Sequence, residues 1–156
     1  MEISFIVNGE PHGKGRPRFY RMGKMVKTYT DYDTLNYENR VLMCYKNKLR
    51  EYNINDNDIL FPKGTFVKMI VYCYFSLNKG DYGKKCLNKN GREKIDRKYC
   101  DKKPDIDNIL KSIQDGLNGV AYDDDSQVVG VESYKLYTES QSRVEITLKE
   151  IGIITE

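Results

Sequence analysis

The sequence lacks any apolar run long enough to cross a bilayer, and its first residues lack the charged-then-apolar profile of a secretory signal. We therefore expect a cytoplasmic protein with no membrane partner. At 156 residues the chain is long enough to bury a core within one domain.

Histidine and closely spaced cysteines are scarce, which argues against two kinds of chemistry. The single histidine, His12, is far in sequence from all four cysteines, and no two cysteines form a CxxC pair. A zinc site or a Cys–His nucleophile is therefore poorly supported. Cys44 and Cys73 fall in predicted regular elements and are expected in the core, while Cys86 and Cys100 fall in a basic loop and are expected to be free thiols.

Charge is unevenly distributed, although the net charge is only +3. Between Lys14 and Lys27 there are six basic residues and no acid, and the segment 77–103 contains ten basic residues against four acids. The remaining acids of this region gather between Asp105 and Asp125. This asymmetry is typical of a phosphate-binding surface around a cation site, although basic runs that only keep loops soluble are the common alternative.

The loop Gly13–Arg16 is not a nucleotide-binding P-loop, because the GxxxxGK[ST] spacing is absent. We interpret it as a phosphate-contacting loop in which glycine lets the backbone approach and arginine grips oxygens. Phe19, Tyr20 and Tyr29 could stack on exposed bases, but core packing is the expected use of at least two of them.

Hydrophobic periodicity predicts six strands and two helices. The predicted elements are a strand at Ile3–Val7, a hairpin turning at Met22–Lys24 and ending near Tyr29, a helix from Thr30 or Asp31 to about Tyr52, an internal strand at Thr65–Ser76, a helix at Asp107–Asn118, and strands at Gln127–Tyr137 and Ser142–Glu150 joined by a hairpin. This order predicts an α+β fold: a single domain over residues 1–156, with a mixed β-sheet, two main helices packed on it and the basic loop 77–103 within it.

Each helix has a predicted buried face at helical spacing. The first helix is expected to bury Leu35, Leu42, Tyr45 and Leu49, with Val41 alongside. The second is expected to bury Ile106, Ile109, Leu110, Ile113 and Leu117.

Five carboxylates flank the second predicted helix: Asp105, Asp107, Asp123, Asp124 and Asp125. Hard cations such as Mg²⁺ prefer carboxylate oxygens, so these residues are candidate metal ligands. Because residues two apart diverge on a helix, we place Asp105 in an extended lead-in and Asp107 in the first turn. Several uncompensated carboxylates would repel each other unless a cation bound. The alternative is ordinary capping and helix-dipole compensation.

Lys111 lies one helical turn after Asp107 and has two possible roles. It could form an i,i+4 ion pair, or it could hold a phosphate and stabilise charge that develops in a phosphodiester transition state. Asp115, one turn further, could steer Lys111, but we interpret it as structural.

Three segments together resemble the RusA-type Holliday junction resolvases, which are small endodeoxyribonucleases common in bacteria and prophages. The pattern resembled is PDxDNxxKxxxDxL followed by DDxQ, and it matches Pro104–Leu117 and Asp124–Gln127. Gly13–Phe19 resembles a loop of the longer Gram-positive and phage members. The segment 77–103 is longer than in the shortest members, and Asp123 is an additional acid.

The resemblance implies a RusA-like fold and a Mg²⁺-dependent homodimer that nicks opposing strands of a four-way DNA junction, in recombination or repair. Mn²⁺ is expected to substitute, and no organic cofactor is implied. The implied metal ligands are Asp105, Asp107, Asp124 and Asp125, and the implied catalytic residues are Lys111, Asp105, Asp107 and Asp125. The predicted DNA-binding residues are Lys14, Arg16, Arg18, Lys102 and Lys103.

Two alternatives stay open at this point. One is a non-catalytic DNA-binding protein of a prophage, in which the acids are only helix caps. The other is a metal nuclease that acts on branched DNA other than four-way junctions.

Overall fold

A computed structural model of the protein describes residues 1–77 and 99–152. Its elements are the strands β1 (Glu2–Asn8), β2 (Arg18–Met22), β3 (Met25–Tyr29), β4 (Phe66–Ser76), β5 (Val128–Thr138) and β6 (Arg143–Ile151), the helices α1 (Tyr32–Glu51) and α2 (Ile106–Leu117), and one 3₁₀ turn (Asp125–Gln127). Most of the predicted basic loop 77–103, with Cys86, lies outside the described residues.

Four strands form one mixed sheet in the order β1-β6-β4-β5. β4 is internal, as predicted: it pairs antiparallel with β6 and parallel with β5. Because α2 lies between β4 and β5 in the chain, these elements form a β-α-β crossover, the connection that parallel neighbours require. The predicted α+β fold, with a mixed sheet and two helices, is confirmed.

The predicted hairpin between the last two strands is wrong. Both strands exist, but β4 lies between them, so the connection 139–142 passes over the end of β4. The Ser76 amide donates to Ser142 Oγ at 2.9 Å, and the Leu77 amide donates to the Thr138 carbonyl at 3.1 Å. β4 is apolar on one face and half-buried on the other, so it is stabilised more at the centre of a sheet than at an edge.

One face of the sheet and both helices enclose the core. Alternate residues of β1, β4 and β6 point into it, and α1 and α2 cover them. The buried residues of these three strands are Ile3, Phe5, Val7, Val67, Met69, Val71, Cys73, Phe75, Val144, Ile146 and Leu148. Cys44 is half-buried, Cys73 and Cys100 are buried, and all three are free thiols.

The predicted buried face of α1 is confirmed at Val41, Tyr45 and Leu49, whereas Leu42 is half-buried and the prediction for Leu35 is wrong. Tyr37, Val41, Tyr45 and Leu49 are buried at i,i+4 spacing, but Leu35 is 44% exposed. Leu35 precedes Tyr37 by two residues, which places it on nearly the opposite side of a helix with 3.6 residues per turn.

Gly116 lets the two helices approach closely. A Cβ at this position would lie 2.9 Å from the Glu38 backbone oxygen, so no larger residue fits without displacing α1. This contact brings Glu38 next to the second half of α2. No helix among residues 1–77 and 99–152 is long and apolar enough to cross a membrane.

Candidate active site

The start of α2 presents two carboxylates at the surface. Asp105 is the N-cap in an extended conformation (φ −68°, ψ 148°) and Asp107 lies in the first turn, as predicted. Both are exposed, and neither side chain has a hydrogen bond or ion pair to another described residue. Buried Ile109 anchors the helix beneath them. The two carboxylates are therefore held at the rim of the fold with their oxygens available.

The second acidic group forms a tight turn before β5. Asp124 caps the 3₁₀ turn, and its side chain accepts a 2.5 Å hydrogen bond from Ser126 Oγ. The Asp123 carboxylate accepts a hydrogen bond from the Lys63 amide. Asp125 is half-buried and faces α2.

Gln127 fastens this acidic turn to the neighbouring loop. Its Oε1 accepts from the Asp124 amide at 3.1 Å, while Nε2 lies 3.0–3.2 Å from the carbonyl oxygens of Phe61, Pro62 and Thr65. The sequence marks Gln127 only as part of a motif, because the three carbonyl oxygens near its Nε2 belong to residues that lie 62 to 66 positions away and no local pattern indicates them.

Lys111 joins helix α2 to the acidic turn before β5. Its Nζ lies 2.9 Å from Asp115 Oδ1 and 3.3 Å from Asp125 Oδ2, so it bridges α2 and the acidic turn. The i,i+4 partner of Lys111 is thus Asp115 and not Asp107. Asp107 lies one turn earlier on the same helix face, and no ion pair links it to Lys111.

Asp115 is the hub of a half-buried ion network. It pairs with both Lys111 and Lys14, and Lys14 Nζ also lies 3.4 Å from Glu38 Oε1. The Asp115 side chain is only 18% exposed. Burial by itself would raise the pKa of Asp115, but the hydrogen bonds from the two lysines outweigh it and hold the pKa below its usual value. Asp115 is therefore a partner that orients Lys111.

The lysines of this network remain protonated across the neutral range. The hydrogen bond to Asp115 raises the pKa of Lys111 above its ordinary value. Burial would lower the pKa of Lys14, but Asp115 and Glu38 together raise it. Both ammonium groups therefore act as fixed positive charges and not as bases.

The five predicted DNA-binding residues differ in their surroundings. Lys14 is committed to Asp115 and Glu38, whereas Arg16 and Arg18 are exposed. Lys102 Nζ lies over the Tyr137 ring at 5.4 Å from its centroid. The fifth residue, Lys103, is exposed beside the start of α2.

The loop 11–16 packs against α2 through Gly13 and against the start of α1 through Gly15. The Lys14 amide donates to the Asn108 carbonyl at 2.9 Å, and Ser112 Oγ lies 2.8 Å from the His12 carbonyl. A Cβ on Gly13 would lie 2.6 Å from Pro104 Cβ, which only a residue without a side chain avoids. The glycine therefore serves the contact between loop and helix.

A cleft of about 400 Å³ opens where this loop meets α2. Pro11, Lys103, Asp105 and Asn108 contribute to its walls. The cleft thus ends at one of the two unpartnered carboxylates and gives a ligand access to it.

The predicted crowding of carboxylates around one point is not present in the side-chain positions. Among residues 1–77 and 99–152, no three His, Cys, Asp or Glu side chains stand close enough to hold a metal ion. Asp123, Asp124 and Asp125 each accept from a protein donor, whereas Asp105 and Asp107 have no such partner in the part of the chain that the structure describes. The donor set still fits a hard dication, because it consists only of carboxylate oxygens from two adjacent segments.

Comparison with known proteins gives two findings. Residues 8–149 match the family described as "Endodeoxyribonuclease RusA". The chain is also 33% identical over 151 residues to the "Uncharacterized protein YqaN" of Bacillus subtilis (strain 168), a match that covers 96% of this chain and 97% of the Bacillus protein. The family match begins at the last residue of β1, ends within β6 and includes every candidate site residue.

Proposed function

Because the chain belongs to the RusA family of endodeoxyribonucleases and is therefore a DNA-hydrolysing enzyme, we propose that it resolves four-way DNA junctions by paired, symmetric nicks. We further propose that the whole chain, residues 1–156, forms one endonuclease domain that serves DNA recombination or repair. The RusA family acts on branched DNA junctions; the paired nicks, the metal and the residue roles below are our proposals.

The observation that carries this proposal is the position of Lys111. Its ammonium lies 3.3 Å from Asp125, and Asp107 lies one turn away on the same helix. Lys111 of α2 and Asp125 of the acidic turn thus meet at the surface, and the open cleft reaches Asp105 at the start of the same helix. A charged lysine between carboxylates is suited to phosphodiester hydrolysis, because both the metal and the phosphate can be held there.

Asp105, Asp107, Asp124 and Asp125 would hold the divalent ion. Mg²⁺ is the proposed ion, with Mn²⁺ able to substitute, since both prefer oxygen ligands. When bound, such an ion supplies an activated water and stabilises the leaving oxygen.

Lys111 provides fixed positive charge for the phosphate. Because its pKa is raised by the hydrogen bond to Asp115, the ammonium stays protonated at neutral pH and can donate to a phosphate oxygen. Asp115 holds the ammonium from the side away from Asp107, while buried Ile113 keeps this part of the helix fixed. The role of Lys111 is thus to stabilise negative charge that develops in the transition state.

Metal-dependent nicking of a synthetic four-way junction tests this proposal. Asp105→Asn and Asp107→Asn should abolish nicking, because each removes a proposed ligand. Both variants should bind the junction as well as or better than the wild type, since negative charge near phosphate is lost. Normal nicking by either variant would refute the metal assignment.

Asp33→Asn is the matched control. Asp33, like Asp107, is an exposed aspartate in the first turn of a helix, but it belongs to α1. The control should nick normally. Chelation by EDTA should stop nicking by the wild type, and either Mg²⁺ or Mn²⁺ should restore it.

A homodimer follows from the symmetry of the substrate. One site cuts one strand, and a two-fold axis presents a second site to the strand related by symmetry. Light scattering should therefore find two chains on each junction. A monomer that makes both nicks in succession would contradict this part of the proposal.

Junction specificity is tested separately from cleavage. The protein should prefer a four-way junction over linear duplex of equal length at the same salt concentration, because shape and not base sequence is recognised. Equal cutting of flaps and splayed duplexes would favour a general nuclease for branched DNA.

A further inference from the structure

Strands β2 and β3 form a separate two-stranded ribbon outside the main sheet. Every residue from 18 to 29 is exposed, so neither face of the ribbon is covered by other described residues. An isolated two-stranded ribbon is only marginally stable in water. A surface of this kind calls for an occupant that covers it.

The ribbon carries positive charge together with exposed apolar side chains. It contains Arg18, Arg21, Lys24 and Lys27 and no acidic residue. Its most exposed apolar residues are Phe19 at 70%, Met25 and Val26 at 61%, and Met22 at 56%. A basic surface without acids is complementary to a polyanion, and the apolar groups indicate that more than phosphate is contacted.

The strand register places the apolar groups of the tip together. Met22 pairs with Met25 across a two-residue turn, in which Gly23 has a φ of 59°. A glycine with positive φ at the first turn position is typical of a tight hairpin turn that keeps the strands paired to their ends. The two methionines therefore stand side by side at the far end of the ribbon.

Aromatic and basic residues follow behind this tip on the same face. Tyr20 pairs with Lys27 and Arg18 with Tyr29, and the rings of Tyr20 and Tyr29 lie 6.1 Å apart. Side chains alternate between faces along a strand, so these four residues share the face of the methionines. The face thus changes from apolar at the tip to aromatic and cationic at the base.

The base of the ribbon is attached to the candidate active site. The Gly15 amide donates to Thr34 Oγ1 at 3.1 Å, and the adjacent Lys14 amide donates to the Asn108 carbonyl on α2. On the other strand, Asp31 accepts from the Thr34 amide at 2.8 Å and caps α1. Five extended residues reach roughly 17 Å, so the tip can contact DNA whose backbone lies at the carboxylates.

We propose that the β2–β3 ribbon enters the branch point of the DNA, where Met22 and Met25 act as an apolar wedge against base pairs opened at the junction. The inference rests on the proposed function and names how the branch is recognised. A major groove about 12 Å wide admits a two-stranded ribbon, and inserted apolar side chains unstack base steps. The cations of the ribbon hold the flanking phosphates.

Nucleic acid fits this surface better than a second copy of the chain. Two ribbons packed against each other would bring eight positive charges together without an acid between them. An effect of tip substitutions on the oligomeric state, with junction binding unchanged, would overturn the wedge.

The test uses Asp107→Asn protein, which keeps the DNA strands intact, and a junction with 2-aminopurine next to the branch. Binding should raise the 2-aminopurine fluorescence, because the base next to the branch is unstacked. Adding Met22→Ser and Met25→Ser should abolish this rise and weaken junction binding about tenfold or more, with little change for linear duplex. The net charge is unchanged, so the salt dependence of binding should stay the same.

Met43→Ser is the control for loss of an exposed methionine. Met43 lies on α1 and is 64% exposed, and its replacement should change neither fluorescence nor affinity. Thermal unfolding of the tip variant should match that of the parent, since both methionines are exposed. A deletion that joins Pro17 to Thr30 through two glycines should also lose the fluorescence rise, and because it removes four cations it should in addition lower the salt dependence of binding.

The outcomes separate this inference from the proposed function. If the Asp107→Asn protein prefers the junction over duplex, and the tip variant shows the same preference and the same rise in fluorescence, the wedge alone is overturned. A parent that binds junction and duplex equally, or that still cuts with Asp107 replaced, would overturn the proposed function.

Discussion

Helix α2 and the β2–β3 ribbon are both proposed to meet DNA, yet they are built in opposite ways. α2 buries Ile109, Ile113 and Leu117 completely and is fixed to α1 by the close contact at Gly116. The ribbon buries no residue. Catalysis requires carboxylates and a lysine at fixed positions, whereas recognition of a branch point requires a surface that extends away from the active site toward the DNA. The stability of the fold is therefore concentrated where bonds are to be broken.

Substitution of Lys111 tests the chemical side of this comparison. Lys111→Met should lower the rate of junction nicking by about 10²–10³-fold or more, the loss seen when one preorganised charge-stabilising donor is removed. Metal binding should be largely intact, because the proposed ligands are unchanged. Single-turnover nicking measures the rate, and Mn²⁺ titration measures binding. If Lys111→Met nicks at the wild-type rate, Lys111 does not stabilise the transition state and serves only as the ion-pair partner of Asp115 and Asp125.

Lys68→Met is the matched control for that experiment. Lys68 is a half-buried lysine on β4 whose Nζ pairs with Glu132 of β5 at 2.9 Å, and neither residue is a candidate site residue. Its loss should leave the nicking rate unchanged.

Truncation of apolar residues tests where stability is located. Ile113→Ala should lower the free energy of unfolding by about 2–5 kcal/mol, because it leaves a cavity beneath α2. Val26→Ala on the ribbon should change it by less than about 0.5 kcal/mol, as expected of an exposed site. Urea denaturation of both variants measures the difference. Similar losses of unfolding free energy in the two variants would show that Val26 is packed against another part of the protein.

Replacement of Asp115 tests how Lys111 is oriented. Asp115→Asn should lower the nicking rate about tenfold and leave junction affinity unchanged, because the ammonium of Lys111 loses a charged partner. Replacement by glutamate, which keeps the charge, should restore part of the rate. A loss of affinity without a loss of rate would make Asp115 a residue of the binding surface.

Asp115 should also make stability depend on pH. Its pKa is lower in the folded protein than in the unfolded chain, where it is about 3.9. The contribution to stability is therefore complete above that value and is lost as the pH falls through the folded pKa. Asp115→Asn should remove this part of the acid dependence, which unfolding at pH 2–6 measures.

Removal of exposed arginines should have the smallest effect. Arg16→Ala with Arg18→Ala should weaken DNA binding and lower the slope of log affinity against log salt by about two, one for each lost phosphate contact. Lys14→Ala should instead lower stability, because Lys14 is tied to Asp115 and Glu38. If Lys14→Ala changes the slope of log affinity against log salt and the arginine substitutions do not, then Lys14 contacts phosphate and the arginines do not.

Much of the fold could be predicted from the sequence, because local patterns of apolar residues and glycine indicate most of the helices, strands and turns. The alternation in β4, the helical spacing of Ile109, Ile113 and Leu117, and the glycine at the ribbon turn each indicated the correct element. The pairing of β5 with β4 could not be predicted, since the short segment 139–142 is equally compatible with a hairpin. Exposure of Phe19, Tyr20 and Tyr29 was also unexpected, because aromatic residues usually pack in a core.

The sequence by itself determined which residues are chemically competent: oxygen ligands at Asp105 and Asp107, a lysine one turn later and an acidic turn before β5. Only the tertiary structure decided their partners. Lys14 turned out to pair with Asp115 across 101 residues, and Gln127 to fasten the acidic turn to Phe61 and Thr65. The physical reason is that the type of a side chain is a local property, whereas its electrostatic neighbours depend on how the helices and strands pack.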